Sequence, residues 1–204
     1  MNGIYDLDWL LNQVNNENKK FNYIGFWKPD NGVGCFSQWY MSTFNDGIEG
    51  YDNAEQWMMS EKARLFRDTE TRVKIKSTSN PAVIKKLGRE VKHFVPEVWD
   101  EACIKLVIMG NYMKFSQNEN LKRFLLSTLD SVLVEASPYD AIWGVKLFPD
   151  EPALKDPNKW KGTNYLGFAL MTVRDILQGK QTLEDVVGGE YSQEMINRIK
   201  SIAL

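Results

Sequence analysis

The chain has 204 residues, a formal net charge of −2, two cysteines and a single histidine. That length suffices for one domain with a core of its own, and the charge gives no global basic field. A protein coating duplex nucleic acid over its whole surface is thereby excluded, while a local basic groove is not. Cys35 and Cys103 have no CxxC spacing, which suits free thiols in a reducing cytoplasm. One histidine and two scattered cysteines argue against a His/Cys zinc centre, so no metal and no cofactor are expected. His93 lies among Lys92, Phe94 and Val95 with no nucleophile signature beside it. Hydrolytic chemistry, if present, falls to carboxylates. No secretory pattern opens the chain, and no window approaches a membrane-spanning apolar run, so a cytoplasmic protein without a membrane partner is expected.

In chain order, Asp6 caps a short amphipathic helix whose stripe is Leu7, Leu10, Leu11 and Val14. Tyr23 to Trp27 reads as a strand, followed by a Pro-Asp-Asn-Gly turn. Phe36 to Phe44, rich in aromatics, reads as a second strand, and Asn45-Asp-Gly47 turns it back toward Tyr51. A helix then runs from Asn53 to Phe66. Asn53 is its N-cap, with Gln56 where a capping-box partner reaches back. A charged linker leads to Asn80-Pro81, which starts a helix stopped near Gly88. Pro96 opens the longest helix, with stripe Trp99, Ala102, Cys103, Leu106, Met109, Gly110 and Met113. Asn118 or Asn120 caps the next, and Ser131 to Ala136 is a short strand. Ser137 to Thr163 is irregular, carries four prolines, and by its length is expected to be functional. Asn164 caps a helix ending at Gly179, and Thr182 and Ser192 cap two short closing helices. These elements predict a mainly α fold, a single compact helical domain over 1–204 with a small antiparallel β-sheet.

The Asn53 helix holds the first chemical constellation. Glu55, Met59, Lys62 and Phe66 share one face, at the spacing of neighbouring turns. Seven residues separate the acid from the lysine, roughly 10 Å along the axis, so they can bracket a ligand but not pair directly. Read alone, Glu55 is a first-turn acid favoured by the helix dipole, and Lys62 a solvated lysine. Tyr139-Asp140-Ala-Ile-Trp143-Gly144 is the second constellation; its plain reading is a turn with an aromatic lid. Trp99, Lys114 and Phe115 on the long helix form the third, although packing alone explains Trp99. Phosphate-binding fingerprints are absent: Gly32-Val-Gly34 is too short, and Gly88-Arg89 serves equally as a helix end.

Taken in order, Phe36-Ser-Gln-Trp39, Ala54-Glu55-Gln56 through Lys62-Ala63, Leu87-Gly-Arg89, Trp99, Lys114-Phe115, Leu133-Val-Glu135, Asp140 through Gly144, and Gly162-Thr-Asn-Tyr-Leu-Gly167 through Arg174 resemble the NADAR (YbiA-like) family. The resemblance covers a core of about residues 23–178, leaving a C-terminal helical extension 179–204 outside it. Two departures stand out: Gln38 replaces an Asn, and Lys146 stands where the family often has Gly.

The resemblance implies a mainly helical fold and a metal-independent hydrolase of C1–N bonds in ribose. Its substrate is either ADP-ribose on guanine bases of single-stranded DNA or RNA, or a ribosylamino intermediate of riboflavin synthesis; a non-catalytic ADP-ribose-binding module is the third reading. An ADP-ribose-type or phosphoribosyl ligand is thus the expected partner. Glu55 and Asp140 are the candidate catalytic residues, stabilising oxocarbenium character or orienting water. Phe36, Ser37, Lys62, Arg89, Trp99, Lys114, Trp143 and Asn164 are the candidate substrate-binding residues. From its place at a helix N-terminus, Glu55 is expected to have a lowered pKa and to work ionised.

Overall fold

The computed structural model describes residues 5–30, 32–188 and 197. Eight helices are found among them: α1 (Leu7–Asn15), α2 (Ala54–Leu65), α3 (Thr69–Lys76), α4 (Pro81–Arg89), α5 (Pro96–Ser116), α6 (Glu119–Leu126), α7 (Tyr165–Leu177) and α8 (Leu183–Val187). Two strand pairs complete the fold, β1 (Tyr23–Phe26) with β4 (Val132–Glu135) and β2 (Phe44–Asn45) with β3 (Gly50–Tyr51). The predicted mainly helical class is the observed one. The Ser192-capped helix lies outside the described residues.

Most helices start where a side chain can take up a free amide. Asp6 accepts from the Trp9 amide and Asn53 from that of Gln56, while Asn80 precedes a proline in the first turn of α4. Thr182 and Asp185 form a full capping box on α8. Gln56 does reach back, but to the Asp52 amide at 2.9 Å; its amide group donates to the Thr78 carbonyl, tying α2 to the chain entering α4.

Four expectations are corrected. Phe36 to Phe44 is not a strand: Gly34–Phe36 forms a 3-10 turn, and extended pairing begins only at Phe44. The supposed linker after Phe66 contains α3, capped by Asp68 accepting from the Thr71 amide. Besides the antiparallel β2–β3 hairpin that feeds α2, β1 pairs in parallel with β4, placing Phe26 opposite Glu135. Asn164 stands at the N-cap of α7 in the left-handed region (φ 56°), yet makes no side-chain cap; it binds the Glu135 amide and the Leu133 carbonyl instead, each at 2.9 Å.

The core lies between α5, α2 and α7, with β4 laid against α7. α5 is buried on several sides, from Cys103 through Leu106–Asn111 to Met113–Phe115. Trp57 of α2 is wholly buried and donates its indole N–H to the Leu106 carbonyl at 2.8 Å. The 137–163 segment is ordered by its own ladder: Val145 N–H reaches the Glu135 carbonyl, Lys161 N–H that of Val145, and Asn164 N–H that of Gly144. This brings the ends of β1 and β4, the start of α2 and the Asp140 turn to one place.

Candidate active site

Glu55 sits in the first turn of α2 and is only 5% exposed. Its own amide is taken by the Gln38 carbonyl at 3.1 Å, and the Trp39 side chain, whose one polar group is the indole N–H, hydrogen-bonds its carboxylate. Burial nevertheless dominates. The pKa is pushed up to about 7, with Asp140 adding to the rise while Lys85, Trp39 and Arg89 oppose it. The expected lowering is therefore overturned, because desolvation of a closed carboxyl outweighs a helix dipole.

A second carboxyl belongs to the cluster. Glu135, the last residue of β4, is pushed up to about 8 by burial, and then by Asp140 and Glu55, against the pull of Lys85. Its Oε2 is buried and has no hydrogen-bond partner among the described residues. Sequence reasoning did not single it out as a site residue. The available signal was an acid directly after Val132-Leu133-Val134, three positions that are wholly buried. Lys85 was missed as well. Its Nζ lies 3.7 Å from Asp140 Oδ2, on the exposed side of the cluster.

Asp140 performs the turn-forming role of its plain reading and also faces the cluster. Its Oδ1 accepts from the amides of Ile142 and Trp143 at 3.0 and 2.9 Å. Arg89, exposed at the end of α4, is close enough to favour the Glu55 anion. Trp143 is half-buried, edge-on to Tyr165.

The remaining candidates are placed elsewhere or behind this centre. Phe36 is wholly buried among Phe26, Phe115 and Phe124, closed off from any ligand. Ser37 and Lys114 are also buried, and the Lys114 ammonium donates to the Ser37 carbonyl at 2.9 Å. Burial pulls the Lys114 pKa down to about 7. Lys62 turns away from Glu55: it donates to the Gly88 carbonyl at 2.9 Å and sits over the Phe94 and Trp99 rings. Trp99 and Lys114 are thus not one constellation, since fifteen residues of α5 separate them by roughly 22 Å. Asn164 is wholly buried, with both ends of its amide spent on β4.

The two departures also have physical readings. Gln38 Oε1 accepts from Asn111 at 2.9 Å, so the longer amide bridges the aromatic loop to α5. Lys146 is exposed and holds φ 55°, the left-handed backbone that glycine adopts without strain. Cavities of about 400, 570 and 400 Å³ lie elsewhere; none is lined by Glu55, Glu135 or Asp140. Among the described residues no group of three or more His, Cys, Asp or Glu is placed to hold a metal ion.

A mainly helical protein in which the buried Glu55 and the half-buried Glu135 meet at helix and strand ends is the class these features define. The model of the NADAR domain matches residues 25–178. The chain belongs to the NADAR family, that of the YbiA-like N-glycosidases. It is 42% identical over 153 residues to N-glycosidase R617 of Acanthamoeba polyphaga mimivirus, covering 72% of this chain and 90% of the relative. Against N-glycosidase YbiA of Escherichia coli K12 it is 27% identical over 154 residues, covering 76% and 88%. The NMR structure of E. coli YbiA superposes with a TM-score of 0.66 at 25% identity, covering 79% of this chain and 88% of that one.

Proposed function

We propose that this protein is a metal-independent N-glycoside hydrolase that removes ADP-ribose from guanine bases of nucleic acid, with Glu55 as its key carboxylate. The carrying observation is the pair Glu55 and Glu135, raised to about 7 and about 8 in one carboxyl cluster. Near neutral pH such a pair holds one carboxylate and one carboxylic acid, the two forms that C1–N hydrolysis requires. As the C1–N bond breaks, its electron pair leaves with the base nitrogen, which takes the Glu135 proton. The Glu55 carboxylate stabilises the positive charge at C1 and accepts a proton from the water that adds there. Asp140 and Lys85 hold the charge balance at the rim. Similarity to proteins named N-glycosidases supports the bond type.

The test is release of free ADP-ribose from a modified single-stranded oligonucleotide with EDTA present. Glu55→Gln should lower the rate by about a hundredfold or more while circular dichroism stays native. Full activity in that variant, or dependence of the wild type on added metal, would overturn the reading. A ribosylamino-pyrimidine phosphate offered in competition tests the substrate: preferential cleavage of it would replace ADP-ribosyl guanine. Tight ADP-ribose binding with neither substrate cleaved would replace the enzyme by a binding module.

A further inference from the structure

Beside the carboxyl cluster lies an aromatic surface that the proposed chemistry does not use. Trp27 directly follows Phe26, the β1 residue paired with Glu135. Its ring centroid is 6.1 Å from that of Tyr139 and 6.1 Å from that of Phe148. Tyr139 is 81% exposed and Phe148 44% exposed, so neither ring serves the core. Tyr139 is also the neighbour of Asp140 in sequence. Lys28 places its Nζ 4.9 Å from the Trp27 centroid, and Lys146 is exposed two residues before Phe148.

We propose that Trp27, Tyr139 and Phe148 form a stacking platform for a single-stranded polynucleotide, seating a base next to the one in the carboxyl site. Two arguments select this occupant. Exposed aromatic rings beside Lys28 match the physics of single-strand binding, in which bases stack and phosphates meet ammonium groups. The platform also begins one residue from the β1 position paired with Glu135, within reach of a strand whose target base enters the cluster. The inference rests on the nucleic-acid reading of the site, but it is tested by binding rather than by turnover.

The experiment is fluorescence anisotropy of an unmodified fluorescein-labelled single-stranded 12-mer with the full chain, in wild type, Tyr139→Ala, Tyr139→Ala/Phe148→Ala and Lys28→Ala. Each lost stacking contact should weaken binding by about tenfold, from the usual worth of one stacked base. Lys28→Ala should flatten the salt dependence. An abasic strand of equal length should bind the wild type at least as weakly as the intact strand binds Tyr139→Ala/Phe148→Ala. Equal affinity of the intact strand for wild type and Tyr139→Ala, or equal binding of abasic and intact strands, would overturn the proposal. So would loss of free ADP-ribose binding in Tyr139→Ala, which would assign the platform to adenine of the small ligand. Because Tyr139 is so exposed, its replacement should leave the fold intact. Strand binding without ADP-ribose release would count against the catalytic reading alone; release independent of Tyr139 would count against the platform alone.

Discussion

Glu55 and Glu135 differ in how far their roles can be read from the residues around them. A capped helix with an acid in its first turn is visible in a short window, and Glu55 was legible there as a candidate. Its protonation state was not, because the burial that raises its pKa exists only once tertiary packing closes around the carboxyl, and the Trp39 indole opposes it only in part. Glu135 required still more, since it meets Glu55 only once β4 pairs with β1. The chemistry of the pair predicts a bell-shaped rate profile, rising as Glu55 ionises near pH 7 and falling as Glu135 loses its proton near pH 8. Both limbs belong to the coupled cluster. Glu135→Gln keeps the shape of the side chain but cannot give up a proton, so kcat should fall by about a hundredfold and the alkaline limb should vanish. Steady-state kinetics across pH 5 to 10, in buffers of constant ionic strength, would check this; a retained alkaline limb would assign it to another group.

At the scale of elements, helices that announce themselves by local caps were readable, and those that depend on partners were not. α3 carries no legible apolar stripe, because Val73 and Ile75 are its only aliphatic residues and Val73 is exposed. The aromatic run after Gly34 looked like a strand through its composition, whereas the structure uses it as a bridge between α5 and α2. Lys114 and Asn111 grip one side of that bridge and Glu55 receives the other. Lys114→Met should therefore lower kcat by about tenfold with KM little changed, because Trp39 loses its fixed position rather than a substrate contact. A rise in KM alone would return Lys114 to the ligand. The α2–α4 contact offers a second test. A Cβ added at Gly88 would stand 2.0 Å from Met59 Sδ, so Gly88→Ala forces the Met59 side chain out of its rotamer or α4 away from α2. Urea unfolding should register a loss of about 1–3 kcal/mol. Met59→Ala in the same chain should recover part of that loss, since it vacates the contested space.

Over the whole molecule, the mainly helical class followed from apolar periodicity, but the parallel β1–β4 pair did not. Its strands are four residues each and more than a hundred residues apart, and no local pattern states that they meet. That pairing draws the carboxyl cluster together, and folding bears its cost. Glu55 has an ordinary pKa of 4.5 and a folded value of about 7, so the native state holds more protons than the unfolded chain between those values. By linkage, stability is greatest below the unfolded value and declines as pH rises through the folded one. Glu135, with a folded value of about 8, extends the decline upward. Replacing Glu55 by Gln removes its charging penalty, about 3 kcal/mol before relaxation. Below pH 4.5 the penalty is absent in both proteins, because the carboxyl is then protonated folded or unfolded. Glu55→Gln should therefore melt near the wild type at pH 4 and several degrees above it at pH 8.5, at about 2–4 °C per kcal/mol for a chain of this size. Thermal melts followed by circular dichroism at the two pH values would decide. A variant less stable than wild type at pH 8.5 would mean that the Glu55 anion is held by favourable contacts, and that the cluster stabilises the fold instead of straining it.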